Sequence, residues 1–199
     1  MKKSKTLIIL GSPRKKGNTA ILAEKVSEGI IKAGGEVESI FLHNKQIKPC
    51  SHCNSCKTKE GYKCSIKDDM QEIYPKIREA KTIILTSPVY WFNYTAQLKL
   101  FIDRCYTNNY SKNYALKNKD IGIIMTYGAS TLQSSGGIHG INSLKEMFDY
   151  TNCNILKILH GSAYEAGEIR SNQKLMDEAY QFGFQIGHSS DKQNLSLHK

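Results

Sequence analysis

Five short apolar runs, each set apart by a stretch of helical periodicity, constrain this chain more than any other feature. Lys5–Leu10 (KTLIIL) reads as a buried strand that ends at Gly11. Asn18–Ala33 follows with Leu22, Val26, Gly29, Ile30 and Ala33 at helical spacing, and Gly34-Gly35 stops it. Glu36–Leu42 reads as a second strand. A helix runs from Asp68 or Asp69, either of which can cap it, to about Ala80. Lys81–Pro88 is a third strand and Tyr94–Arg104 a helix; Asp120–Gly128 is a fourth strand and Ile138–Tyr150 a helix. Cys153–Gly161 is a fifth strand, before a last amphipathic helix over Ser171–Gly187. Such alternation demands right-handed crossovers, hence a doubly wound α/β fold whose parallel sheet carries helices on both faces. With no repeat and no linker in view, residues 1–187 are expected to form one domain, followed by a polar tail over 188–199.

In sheets of this kind ligands bind beyond the carboxyl ends of the strands, at the topological switch point. The loops after Leu10, Thr86 and Thr126 are therefore the places to look. The first reads GSPRKKGNTA. It is neither a Walker loop, since Asn18 stands where lysine is needed, nor a G-x-G-x-x-G turn. Gly11 and Gly17 still allow unusual backbone angles. Ser12, Asn18 and Thr19 offer donors, and the helix start presents free N–H groups to an anion such as a mononucleotide phosphate. The plainer alternative is an ordinary strand-to-helix turn capped by Thr19. The second loop places Tyr90, Trp91, Phe92 and Tyr94 within five positions, a cluster suited to a flat apolar ring or to an oligomer contact.

Composition narrows the class. Of 199 residues, 40% are hydrophobic and 23% charged, as in a globular domain. No apolar run is long enough to span a bilayer, and the short run after Met1 lacks the features of a cleaved leader, so the expected compartment is the cytoplasm. The net charge of +10 comes from dispersed lysines, with no basic and aromatic stripe, which argues against nucleic acid and for a surface that gathers anionic ligands. Lys99, Asp103 and Arg104 read as a structural ion-pair group on a helix. Cys105 and Cys153 read as small buried apolar residues, His139 and His160 as isolated, and Gly128–Gly140 as a solvated loop able to close over a ligand.

GSPRKKGNT, with SPVYWFNYTAQLKLFIDR downstream, resembles the NAD(P)H-dependent FMN reductase family of flavodoxin-like proteins over nearly the whole chain. The resemblance implies a five-stranded sheet of order 2-1-3-4-5. It implies that Ser12, Arg14, Asn18 and Thr19 hold the FMN phosphate, with Pro13 shaping the turn. Pro88, Val89, Tyr90, Trp91 and Phe92 would lie along the ribityl chain and ring, and Thr126, Tyr127 and Gly128 would complete the pocket. It also implies NAD(P)H as electron donor and a flavin close to a subunit boundary.

Between the second strand and Asp68 lies KPCSHCNSCKTKEGYKCSIKDDM, with Cys50, Cys53, Cys56 and Cys64 in a C-x2-C-x2-C-x7-C spacing. Three closely spaced thiolates and a nearby fourth suit a 4Fe–4S cube, whereas zinc more often uses two separated knuckles. Lys48, Lys57, Lys59 and Lys63 would offset the charge of bound thiolates. Zinc, and a metal-free loop of reduced thiols, remain open. In this fold the motif resembles the iron–sulfur flavoproteins of anaerobes, which implies a 4Fe–4S cluster on these four cysteines. The metal would order the loop, and Gly61 would help return the chain to Cys64. The expected activity passes electrons from NAD(P)H or a reduced carrier to a quinone or similar acceptor. No side chain is assigned as a catalytic acid or base. A flavodoxin-type carrier and a redox sensor are the rivals. The apolar loop Tyr90–Tyr94 and the Tyr-rich connection Tyr106–Tyr114 predict a homodimer or homotetramer.

Overall fold

A computed structural model describes residues 5–58, 63–107 and 116–195, with side chains described to residue 188. Lys59, Gly61 and most of the Tyr106–Tyr114 connection lie outside the described residues. In chain order the elements are β1 (Lys5–Leu10), α1 (Asn18–Lys32), β2 (Glu36–Phe41), α2 (Met70–Glu79), β3 (Thr82–Tyr90), β4 (Asn93–Tyr94), α3 (Ala96–Arg104), β5 (Asp120–Tyr127), α4 (Gly137–Tyr150), β6 (Asn154–Ser162) and α5 (Gln173–Leu195). Five strands pair in parallel in the order β2-β1-β3-β5-β6. That is the expected flavodoxin-like order, with β1 and β3 flanking the switch point.

Alternation within the central strands sorts the core into two layers. Leu7 and Ile9 of β1, Ile83 and Leu85 of β3, and Ile121 and Ile123 of β5 face α2, α3 and α4. Ile8, Ile84 and Ile124 point the other way, onto α1 and α5. These side chains are 0–2% exposed, so each strand reads as a continuous apolar run because both of its faces are covered. The two helices of the second layer approach unusually closely. A Cβ on Gly183 would lie 1.9 Å from the Val26 carbonyl oxygen, and one on Gly29 would lie 2.1 Å from that of Tyr180.

The structure corrects three boundaries. The sheet has a sixth strand, because β4 pairs antiparallel with the end of β3 through Val89↔Tyr94 and Tyr90↔Asn93. The following helix therefore starts at Ala96 and not at Tyr94; Thr95 caps it, its Oγ1 accepting from the Leu98 N–H at 3.3 Å. Finally, α5 continues past Gly187 to Leu195, so most of the expected tail is helical. Gly187 does not end the helix because it serves packing, its Cβ position lying 2.7 Å from the Ile30 carbonyl oxygen. Among the described residues no helix is long and apolar enough to cross a membrane.

Candidate functional site

The carboxyl ends of β1 and β3 are tied together by a buried polar knot. Gly11 donates to the Thr86 carbonyl at 2.9 Å, and the Thr95 hydroxyl donates to the Gly11 carbonyl at 2.6 Å. The Ser87 hydroxyl accepts from the Thr95 N–H at 2.9 Å and donates to the Pro88 carbonyl at 2.8 Å. Gly11 has no room for a side chain, since its Cβ would lie 2.6 Å from the Thr86 oxygen. This knot fixes where the first loop leaves the sheet and where the third begins its aromatic turn.

Between these loops lies a cavity of about 210 Å³. Ser12, Arg14, Asn18 and Thr19 line one end, and Pro88, Val89, Tyr90, Thr126, Tyr127 and Gly128 line the rest. Ten of the twelve sequence-predicted cofactor residues are thus brought together. At the phosphate end α1 begins at Asn18 without a side-chain cap, so its first N–H groups remain available to an anion. The Ser12 oxygen accepts from the Arg14 N–H at 3.0 Å, which leaves its hydroxyl hydrogen to donate elsewhere.

Asn18 takes a different part from the one expected. Its amide donates to the carbonyls of Ala163 (3.2 Å) and Glu165 (2.9 Å), and its oxygen accepts from the N–H groups of Gly167 (2.9 Å) and Ile169 (3.4 Å). The side chain is committed to the loop after β6, which leaves its backbone N–H for an anion. That loop completes the cavity with Ala163, Tyr164 and Ala166, none of which stands in a recognisable motif.

Trp91 and Phe92 stand outside the cavity lining. They form the two-residue turn between β3 and β4, both in the left-handed region with φ of 47° and 65°. Turns of this shape usually carry Asn-Gly, so Trp-Phe gave no turn signal. Trp91 is 93% exposed. Phe92 packs on Gly136, where a Cβ would lie 2.4 Å from Phe92 Cδ1. The expected solvated loop over Gly128–Gly140 is therefore anchored by the aromatic turn, and its second part is the start of α4.

The cysteine loop forms a second site. Cys50, Cys53, Cys56 and Cys64 all line one cavity of about 30 Å³, together with Asp103, Arg104, Tyr106 and Thr107 from the end of α3 and just beyond it. The Ser55 hydroxyl at 3.3 Å and the Ser65 hydroxyl at 3.2 Å, with the Ser55 backbone and the Ser51 hydroxyl, lower the Cys53 pKa to about 6. Burial pushes the Cys56 thiol up, against the pull of the nearby Thr107 hydroxyl. Among the described residues no three His, Cys, Asp or Glu side chains gather closely enough to hold a single metal ion.

The neck of the loop is closed by hydrogen bonds. Asp69 accepts from the Gln46 N–H and Asp68 from the Lys48 N–H, both at 2.9 Å. The Gln71 amide donates to the carbonyls of Cys64 (3.1 Å) and Ile66 (2.6 Å). Arg104 lies at the centre, paired with Asp68; the two side chains are 1% and 2% exposed. Its guanidinium also donates to the Lys48 carbonyl at 2.8 Å and reaches Cys64 Sγ at 3.4 Å. Burial works against the Asp68 carboxylate, but the Arg104 guanidinium and the Lys48 and Met70 N–H groups outweigh it and hold the pKa below the usual range. Sequence reasoning grouped Arg104 with the surface pair Lys99–Asp103, which the structure does form. The missed signal was position: Arg104 follows Phe101 by three and Leu98 by six, so it lies on the apolar face, where a charge needs a partner.

A third cavity, of about 520 Å³, adjoins the cysteine site and shares Cys50, His52, Asp103 and Tyr106 with it. The other residues noted from the sequence are structural. Burial raises the pKa of Cys105 and of Cys153, whose thiol donates to the Leu116 carbonyl at 2.8 Å. His160 pairs with the Tyr127 hydroxyl at 3.1 Å.

A doubly wound parallel sheet of this order, with a glycine-bearing loop at the end of β1 and an aromatic turn at the end of β3, defines a flavodoxin-like α/β protein. The chain belongs to the NADPH-dependent FMN reductase family, whose pattern it matches over residues 4–165. It is 44% identical over 126 residues to an iron–sulfur flavoprotein of Methanocaldococcus jannaschii, an alignment covering 63% of each chain. It is 41% identical over 122 residues to an iron–sulfur flavoprotein of Methanosarcina thermophila, covering 61% of this chain and 62% of the relative. The chain thus spans about three fifths of the length of these relatives. Among solved structures it resembles an NAD(P)H:quinone oxidoreductase from Methanothermobacter marburgensis. The TM-score is 0.70 at 17% identity, covering 93% of this chain and 100% of the other, a likeness of fold.

Proposed function

We propose that the protein is an FMN-dependent oxidoreductase that takes electrons from NAD(P)H or a reduced carrier and passes them to a quinone or similar small acceptor. The observation that carries this reading is the single cavity lined by Ser12, Arg14, Thr19, Pro88, Val89, Tyr90, Thr126, Tyr127 and Gly128. Its residues fit FMN: open helix N–H groups and two hydroxyls suit a phosphate, and the β3 and β5 loops suit the body of a flat ring. Arg14 adds a positive charge at the phosphate end. Bound there, FMN supplies hydride and one-electron chemistry; the protein supplies placement. The knot of Gly11, Ser87 and Thr95 holds the two loops at fixed separation, and Asn18 holds the loop after β6 against them.

The four cysteines lining one cavity beside a buried arginine fit an anionic four-thiolate group, and a 4Fe–4S cluster is the proposed occupant. The two sites share no lining residue. α3 links them, since it starts just after the aromatic turn and ends at the cysteine site. At nine residues its length is about 13 Å. The exposed Trp91 and Phe92, 93% and 58% accessible, favour a homodimer or homotetramer formed through that turn.

Protein purified without oxygen should show flavin absorbance with a broad cluster shoulder, and about four irons per chain. One zinc, or neither metal, would rule out the cluster. Steady-state oxidation of NADH or NADPH with an added quinone tests the activity. No turnover would leave a flavodoxin-type carrier. Cys53→Ser should abolish the cluster and spare FMN.

A further inference from the structure

Among the described residues, two buried hydrogen-bond donors at the cysteine site have no acceptor. Arg104 Nε and Thr107 Oγ1 are both inaccessible and lack a hydrogen-bond partner. Their residues are 2% and 6% exposed, and both line the cavity of the four cysteines. The rest of Arg104 is well satisfied, by Asp68, the Lys48 carbonyl and Cys64. Thr107 shares that lining with Cys56, and its hydroxyl has no partner in hydrogen-bond geometry. Buried donors without an acceptor are rare, and the two residues that carry these both line one cavity, which points to an acceptor-rich occupant.

From this juxtaposition we infer that Arg104 and Thr107 are positioning residues that donate hydrogen bonds to the sulfur atoms of a four-thiolate iron–sulfur cluster. The inference rests on the cluster reading above and deepens it. A sulfur cluster on four thiolates is an anion with acceptor atoms on all sides, which two N–H and O–H donors can meet. A lone zinc ion offers no acceptor beyond its four thiolates. Arg104 brings the positive end of its buried pair with Asp68 to within 3.4 Å of Cys64 Sγ. Donors and positive charge at cluster sulfurs stabilise the reduced, more negative state, so they raise the reduction potential. The same arginine ties the neck of the loop to α3, which places the donors and the thiolates on one rigid support.

The test uses the holoprotein prepared without oxygen and compares wild type with Thr107→Val, Thr107→Ser and Arg104→Lys. Iron and zinc analysis comes first, then the cluster potential by spectroelectrochemical titration. Thr107→Val should keep about four irons per chain and move the potential to a more negative value; Thr107→Ser, which restores the hydroxyl, should return it towards wild type. Arg104→Lys, which keeps the charge and loses Nε–H, should shift the potential in the same direction as Thr107→Val. A full iron complement with an unmoved potential in Thr107→Val overturns the inference while leaving the cluster in place. Wild type with one zinc or no metal overturns the cluster reading itself, and the metal analysis tells the two failures apart. Thr107→Val alone decides the matter if the arginine variant does not fold.

Discussion

The two sites lie at opposite ends of one helix and are built in opposite ways. The cavity proposed for FMN rests on the sheet. Its loops leave the ends of β1, β3, β5 and β6, and among the described residues none of the buried side-chain polar atoms without a partner belongs to its lining. The cysteine site rests on one buried ion pair and a hydrogen-bonded neck, with little apolar sequence of its own, and it keeps two buried donors in reserve. A site made at strand ends inherits the rigidity of the core. A site on a long connection needs its own fastener, and here that fastener is Arg104–Asp68. The expectation that a metal alone would order the loop is therefore too simple, because its neck is closed by Asp68, Asp69 and Gln71.

The most forceful way to break this contrast is to remove the fastener. Asp68→Ala leaves Arg104 buried without its counter-charge and should cost about 3–5 kcal/mol, read by chemical denaturation. If the regions are independent, FMN affinity of the folded fraction should hardly change. A variant as stable as wild type would show that the pair holds nothing. The same carboxylate gives a pH signature. Because its folded pKa is depressed, its contribution is fully present above the ordinary carboxylate value of about 4 and is lost as the pH falls through the folded value. Protection of the cysteine loop against proteolysis should fall on acidification below about pH 4, and Asp68→Ala should lack that dependence.

The complementary change acts on the other side. Ser12→Ala with Thr19→Ala should lose about 1.5–3 kcal/mol for each charge-assisted bond to phosphate, roughly tenfold or more in FMN affinity each. Titration of apo-protein measures this, and loop protection should be unaffected. Unchanged affinity in the double variant would remove the phosphate assignment. The smallest effect belongs to the pair that the sequence made most visible. Lys99–Asp103 lies on the surface with side chains 53% and 43% exposed, so Lys99→Ala should cost only about 0.3–0.5 kcal/mol. A loss as large as that of Asp68→Ala would mean that the outer face of α3 also carries the cysteine site.

The same contrast explains what could be read from the sequence. Strands such as Thr82–Leu85 announce themselves because both faces are buried and every residue obeys one rule. The lining of the cavity at the strand ends followed, since the fold rule points there and Ser12, Pro88 and Thr126 stand there. Trp91 and Phe92 were misplaced because a left-handed two-residue turn leaves no trace when it lacks Asn or Gly. Asn18 was assigned to phosphate because its partners, Ala163 to Ile169, are backbone groups with no residue-type signature. The four cysteines were legible as a set. Their support was not, because the partnership of Asp68 and Arg104 spans 36 positions.

The reach of Asn18 also sets an order of events. Its side chain at the start of α1 bonds residues 145 to 151 positions further along, beyond the last strand of the sheet. Contacts that distant form late, after the intervening chain has been made and its loop entropy overcome. During synthesis the first helix and the phosphate loop emerge early, yet the wall that seats them arrives only with the end of β6 and the turn beyond it. Until then the protein has a phosphate-type loop without a finished nucleotide cavity. Completion of the cavity is thereby deferred to the final stage of folding, and a nascent chain cut short before Ala163 should lack the finished wall that the proposed FMN site requires.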